Sequence, residues 1–118
     1  MDGAVVIVCG GRNYADRERA FAELDGIHKR RPLAVVIEGG ATGADRMARN
    51  WAFSRGVHCA TVPALWDRRG RAAGMGRNMA MLRLKPDGVI AFPGGRGTEN
   101  MKQIARDAGV PVLEVGNG

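Results

Sequence analysis

The run Ala4-Val5-Val6-Ile7-Val8-Cys9, ended at once by Gly10-Gly11-Arg12-Asn13, decides the fold of this 118-residue chain. A continuous apolar, largely β-branched run is the pattern of a strand buried on both faces, as in a parallel sheet covered by helices. Asp16 then precedes a stretch with Ala20, Phe21, Leu24 and Ile27 on one helical face. The same sentence of sequence is repeated downstream. Leu33 to Glu38 reads as a second strand, ended by Gly39-Gly40, and Ala44, Met47, Ala48, Trp51 and Ala52 follow at helical spacing. Val57 to Val62 is a third, weaker strand, followed by a loop from Pro63 to Gly74 and a helix from Met75 to Leu84. Gly88 to Phe92 is the fourth strand, and Pro93-Gly94-Gly95 ends it. Met101, Ile104, Ala105 and Ala108 line the last helix, which stops at Gly109 before a fifth strand, Val110 to Val115.

Strand–helix alternation with short connections and right-handed crossovers predicts a single α/β Rossmann-like domain over residues 1–118. It has three layers and a five-stranded parallel sheet in the order 3-2-1-4-5. With 45% hydrophobic residues the chain can bury a core. No run of 18 apolar residues exists, so no transmembrane helix is expected. The start, Met1-Asp2-Gly3-Ala4, lacks a basic and then apolar leader, which reads as a cytoplasmic protein. Cys9 and Cys59 make no disulfide framework, no Cys/His cluster has metal spacing, and no cofactor is expected.

Glycine is in excess, 18 residues, about twice the usual ~7%. Much of that excess falls at three strand ends: Gly10-Gly11, Gly39-Gly40 with Gly43, and Gly94-Gly95 with Gly97. Ligands of open α/β sheets bind outside the carboxyl ends of the strands. Each cluster leads into a helix start, where free N–H groups favour an anion and a missing Cβ allows close approach. Purely structural turns are the plainer reading of any one pair. In the third cluster Pro93 stiffens the strand exit, and Thr98 is expected to cap the helix and to contact phosphate. No Lys-Ser/Thr follows the last glycine, so this is not a Walker loop.

Pro93-Gly94-Gly95-Arg96-Gly97-Thr98 resembles the signature of the SLOG (SMF/DprA and LOG) superfamily. Cys9-Gly10-Gly11-Arg12, Glu38-Gly39-Gly40-Ala41-Thr42-Gly43-Ala44-Asp45, Ala64-Leu65-Trp66 and Ala73 to Met81 extend the likeness to its small single-domain YspA-like branch, found in bacteria and phages. The resemblance implies a nucleotide or nucleotide derivative, mononucleotide or ADP-ribose-like, as ligand. The expected ligand-binding set is Gly10, Gly11, Arg12, Gly39, Gly40, Gly43, Ala44, Asp45, Trp66, Arg77, Asn78, Pro93, Gly94, Gly95, Gly97 and Thr98.

LOG proteins hydrolyse the N-glycosidic bond of nucleoside 5′-monophosphates, which makes a similar activity the alternative reading. That chemistry needs a carboxylate near the anomeric carbon and a cation near the phosphate. Arg77, in Met75-Gly76-Arg77, matches the relatives' arginine, whereas the position of their glutamate holds Met101. The candidate catalytic set is therefore Arg77 with Glu99 or Asp45, and Glu38 is a further acid at a strand end. Each acid also has an ordinary reading, as a first-turn helix charge or a loop-bonding group. Trp66 is either a base-stacking residue or a packing one.

The net charge is +6, with basic runs His28-Lys29-Arg30-Arg31 and Arg68-Arg69-Gly70-Arg71. DprA-like nucleic-acid binding is the third reading. It is the weakest, because three Phe, two Trp and one Tyr offer few stacking platforms. A nucleotide-type small molecule is the expected partner, with no membrane and with a homodimer as the expected assembly.

Overall fold

The computed structural model describes residues 3–65 and 72–116. Five parallel strands form one sheet: β1 (Ala4–Cys9), β2 (Leu33–Glu38), β3 (His58–Thr61), β4 (Gly88–Ala91) and β5 (Val112–Glu114). Their order is β3-β2-β1-β4-β5, as the alternation of runs predicts. Four helices are described: α1 (Arg17–Arg30), α2 (Ala44–Arg55), α3 (Ala73–Leu82) and α4 (Arg96–Asp107).

The unbroken apolar pattern of β1 is explained by its two coverings. Val6 and Val8 face a core with Leu24 of α1 and Ala48 and Trp51 of α2. Ile7 and Cys9 face the opposite core with Met81 of α3 and Met101 and Ala105 of α4. As the middle strand, β1 pairs β2 through Ile7 opposite Ile37, and β4 through Cys9 opposite Ala91. Its carboxyl end thus lies between those of β2 and β4, where the winding reverses.

Helix ends follow local chemistry. Asp16 caps α1, accepting from the Arg19 amide at 3.0 Å. Gly56, left-handed at φ 69°, ends α2. Asp25 of α1 holds α2 in place: it accepts from Trp51 Nε1 at 2.8 Å and from Arg55 Nε and Nη2 at 2.8 and 2.9 Å. His28 accepts the Leu33 amide on Nδ1 at 2.9 Å, which bonds the α1–β2 turn.

Several boundaries differ from the expected ones. Helix α3 starts two residues earlier, at Ala73, and ends at Leu82 rather than Leu84, since the chain turns to a positive φ of 55° at Lys85. Strands β3 and β5 are shorter than their apolar runs, because ladder bonds reach only four residues of β3 and three of β5. Trp66 and the Arg68–Arg71 run lie outside the described residues.

Candidate functional site

The three glycine turns meet at Gly11. Its amide donates to the Pro93 carbonyl at 2.8 Å, and its carbonyl accepts from Ala44 at 3.1 Å and Tyr14 at 3.2 Å. Several glycines are required here by protein, with no ligand involved. A Cβ on Gly10 would stand 2.6 Å from Ala44 Cβ, one on Gly94 would stand 2.7 Å from the Gly11 amide, and one on Gly43 would overlap the Gly11 carbonyl. Gly43 and Gly40 also hold positive φ angles of 72° and 79°. Gly95 and Gly97 differ: a Cβ at either would meet nothing within 4 Å.

The second turn fills its own amides. The Gly39 and Ala41 amides both donate to Asp45 Oδ2 at 3.2 Å, and the Gly40 amide between them donates to Glu38 Oε1 at 2.7 Å. Glu38 is fully buried, and its Oε2 accepts from the Thr61 hydroxyl and from Cys59 Sγ at 3.7 Å. The Gly39, Gly40 and Ala41 amides are therefore committed within the protein. Asp45, 6% exposed, has its carboxyl pushed above the ordinary aspartate range. Burial is the main cause, opposed by the Ala41 amide and by the Arg77 charge.

Arg77 projects from α3 onto this loop. Its Nη1 donates to the Gly39 carbonyl at 2.9 Å, and its Nε donates to Asn78 Oδ1 at 3.1 Å. Asn78 is 3% exposed, and its Nδ2 donates to the Gly97 carbonyl at 3.1 Å and to Asn100 Oδ1 at 2.9 Å. It links α3 to the first turn of α4 and orients Arg77 and Asn100.

The third turn keeps donors free. Helix α4 begins at Arg96 with Gly95 as cap, and no side chain caps it. Thr98, expected as the cap, lies instead inside the first turn, buried, with its hydroxyl against Gly94. Among the described residues, no bond occupies the amides of Gly97 and Thr98, which are among the four that a helix start leaves unpaired. Because α4 starts at Arg96, Glu99 sits in its first turn, off the cavity wall, and pairs with Lys102. Met101 is wholly buried in the core with Ile7, Cys9 and Met81.

A cavity of about 620 Å³ opens over this arrangement. Of the expected residues, Gly10, Gly11, Arg12, Asp45, Arg77, Asn78, Gly95, Gly97 and Thr98 line it. Gly39 and Gly40 line a second cavity, of about 370 Å³, while Gly43, Ala44, Pro93 and Gly94 lie behind the walls as packing residues. The sequence reading missed Asn100, Arg96, Met75 and Met81 on the wall. Arg96 and Asn100 were open to detection, since Arg96 precedes Gly97 and Asn100 follows it at i+3 on the same helical face. Cys9 also reaches the cavity, but burial, then the Asp45 charge, pushes its thiol up to about 12, so it is no thiolate nucleophile near neutral pH. Among the described residues, no group of three or more His, Cys, Asp or Glu side chains is arranged to hold a metal. No described helix is long and apolar enough to cross a membrane.

Two comparisons bear on this arrangement. The chain is 37% identical to the Gene 61 protein of Mycobacterium phage D29 over 120 residues, covering 95% of this chain and 96% of that protein. Residues 4–68, which carry the first two glycine turns, Asp45 and β3, match the YspA, cpYpsA-related SLOG family. With β1, its glycine exit and the self-bonded Glu38–Asp45 turn all inside the matched region, the chain belongs to the YspA, cpYpsA-related SLOG family.

Proposed function

We propose that the protein binds a phosphorylated nucleoside, with a phosphate at the start of α4. The observation that carries this reading is the pairing of unoccupied Gly97 and Thr98 amides with glycines whose missing Cβ no protein atom requires. Helix dipole and free N–H groups favour an anion there. Arg12, Arg77 and Arg96 on the same wall add positive charge, and Arg grips phosphate bidentately. Family membership is consistent with a nucleotide-related ligand. The test is calorimetric binding of AMP, ADP-ribose, NAD and cyclic dinucleotides, with mass spectrometry of any co-purifying nucleotide. Saturable binding that Arg77→Ala weakens is expected. No heat from any of them, with no nucleotide co-purifying, sinks the reading.

One observation favours hydrolysis of a nucleoside 5′-monophosphate as a second reading: Asp45 is a carboxylate on the cavity wall beside Arg77. Water would add to the anomeric carbon as the base leaves with the glycosidic electron pair and takes a proton, and Asp45 would hold the water and the developing charge. Release of free base, abolished by Asp45→Asn while binding persists, is the expected result. Binding without base release leaves a binding module.

The same reading has the protein working in the cytoplasm as a homodimer. Met75 and Met79, exposed four residues apart on α3, offer the apolar surface for it. Light scattering after size exclusion, with Met79→Glu as the disrupting variant, tests the dimer.

A further inference from the structure

We propose that Asn78 is a positioning residue for the cavity wall: its buried amide fixes which end of Asn100 is free, and Asn100 thereby becomes a donor to the bound anion. This rests on the nucleotide-binding reading above and concerns which side chains recognise the ligand and what orients them.

An amide side chain has a donor end and an acceptor end, and its partners decide which points where. Two partners of Asn78 are unambiguous. Arg77 Nε can only donate, so the end 3.1 Å from it is the Asn78 oxygen. The Gly97 carbonyl can only accept, so the end 3.1 Å from it is the Asn78 nitrogen. The second hydrogen of that nitrogen goes to the side chain of Asn100 at 2.9 Å, and the atom receiving it is Oδ1. Asn78 is 3% exposed, so little water is at hand to support the reversed arrangement.

The consequence falls on Asn100. With Oδ1 held by Asn78, Nδ2 is the end left over, and it meets no protein acceptor among the described residues. Asn100 lines the larger cavity and follows Gly97 at i+3 on α4, on the face that carries the free Gly97 amide. Arg77 is ordered by the same amide. Its Nε goes to Asn78 and its Nη1 to the Gly39 carbonyl, which leaves Nη2 as its unbonded nitrogen. Two wall side chains on different helices thus keep spare donors because of one buried residue. Reversing the Asn78 amide would turn Asn100 over and set its oxygen against the anion.

Calorimetry of the full chain with AMP and ADP-ribose tests this. Asn100→Asp keeps an oxygen for Asn78 Nδ2 and removes the spare donor. Affinity is expected to fall about tenfold or more. The loss is expected to persist in about 0.5 M KCl, which screens a charge acting across solvent. Asn100→Ala is expected to weaken binding severalfold. Asn78→Asp still accepts from Arg77 Nε but cannot donate to Asn100, which then turns its oxygen outward. In that background Asn100→Ala is expected to leave affinity unchanged or to raise it. A residue that only ties α3 to α4 gives no such reversal. If Asn100→Asp binds like the unsubstituted protein, or if Asn100→Ala costs the same with and without Asn78→Asp, the proposal is overturned and the nucleotide-binding reading stands. Should Asn78→Asp fail to fold, the Asn100→Asp result decides alone. If the unsubstituted protein binds neither compound, the nucleotide-binding reading itself fails, and this inference with it.

Discussion

The guanidinium of Arg77 rests on the bare α-carbon face of Gly39. Nη1 donates to the Gly39 carbonyl at 2.9 Å, and a Cβ on Gly39 would overlap Nη1 and stand 3.0 Å from Cδ. The glycine after β2 thus makes room for an arginine thirty-eight residues away. Gly39→Ala should displace Arg77 while leaving the backbone intact, since Gly39 needs no positive φ. Ligand affinity should fall about tenfold, close to the loss in Arg77→Ala. Stability should change by less than about 1 kcal/mol, because the clash is with the mobile end of a side chain. Calorimetry beside urea unfolding measures both. Unchanged affinity would detach Arg77 from the site.

Gly97 gives the opposite signature. It lies in the first turn of α4, and a Cβ there meets no protein atom. Gly97→Ala should therefore raise stability by about 0.5–1 kcal/mol through the lower chain entropy of the unfolded state. If a phosphate approaches this backbone, the same methyl should weaken binding severalfold. A more stable protein with full affinity would move the anion away from α4.

Asp25 sets an acid limit on the fold. Its carboxyl is lowered from the ordinary 3.8 to about 2, chiefly by hydrogen bonds from Arg55 and Trp51. A depressed folded value means that its stabilisation is present above the ordinary aspartate value and is lost as pH falls toward about 2. Asp25→Asn should flatten the melting-temperature profile across that window. Asp25→Ala should cost about 1–3 kcal/mol at pH 7, because the indole N–H of the fully buried Trp51 loses its acceptor. The exposed ion pair with Arg55 adds little to this.

Met101 bears on the enzymatic reading. Restoring the relatives' acid with Met101→Glu should not create hydrolysis. The residue is fully buried in an apolar core, and an uncompensated charge there costs about 3–5 kcal/mol. Chemical denaturation should show that loss, or the variant should fail to fold. A stable Met101→Glu protein that releases base from AMP would mean that the start of α4 can rearrange.

The sheet order was legible because β1, β2 and β4 are apolar runs that exit into glycine turns, and such runs have few ways to alternate with amphipathic helices. The site was legible only in outline. Gly10, Gly43, Gly95 and Gly97 look alike in the sequence, yet the first two are required by Ala44 and Gly11, and the last two by nothing in the protein. Hydrogen-bond commitments are also invisible at that level. Whether the Gly39–Ala41 amides are available depends on Asp45 folding back over its own loop, and on Glu38 finding Thr61 on the neighbouring strand. The Thr98 cap failed for a related reason. Gly95 rather than Thr98 stands at the cap position, and the Thr98 hydroxyl lies buried against Gly94.

One residue has a mechanical role beyond its bonds. Gly11 is bonded through its amide to the β4 exit and through its carbonyl to the start of α2, with the glycines of both neighbouring turns pressed against it. The three strand exits are consequently latched together through Gly11. In the binding mode proposed above, a ligand at the start of α4 presses on a wedge whose other faces are β1 and α2.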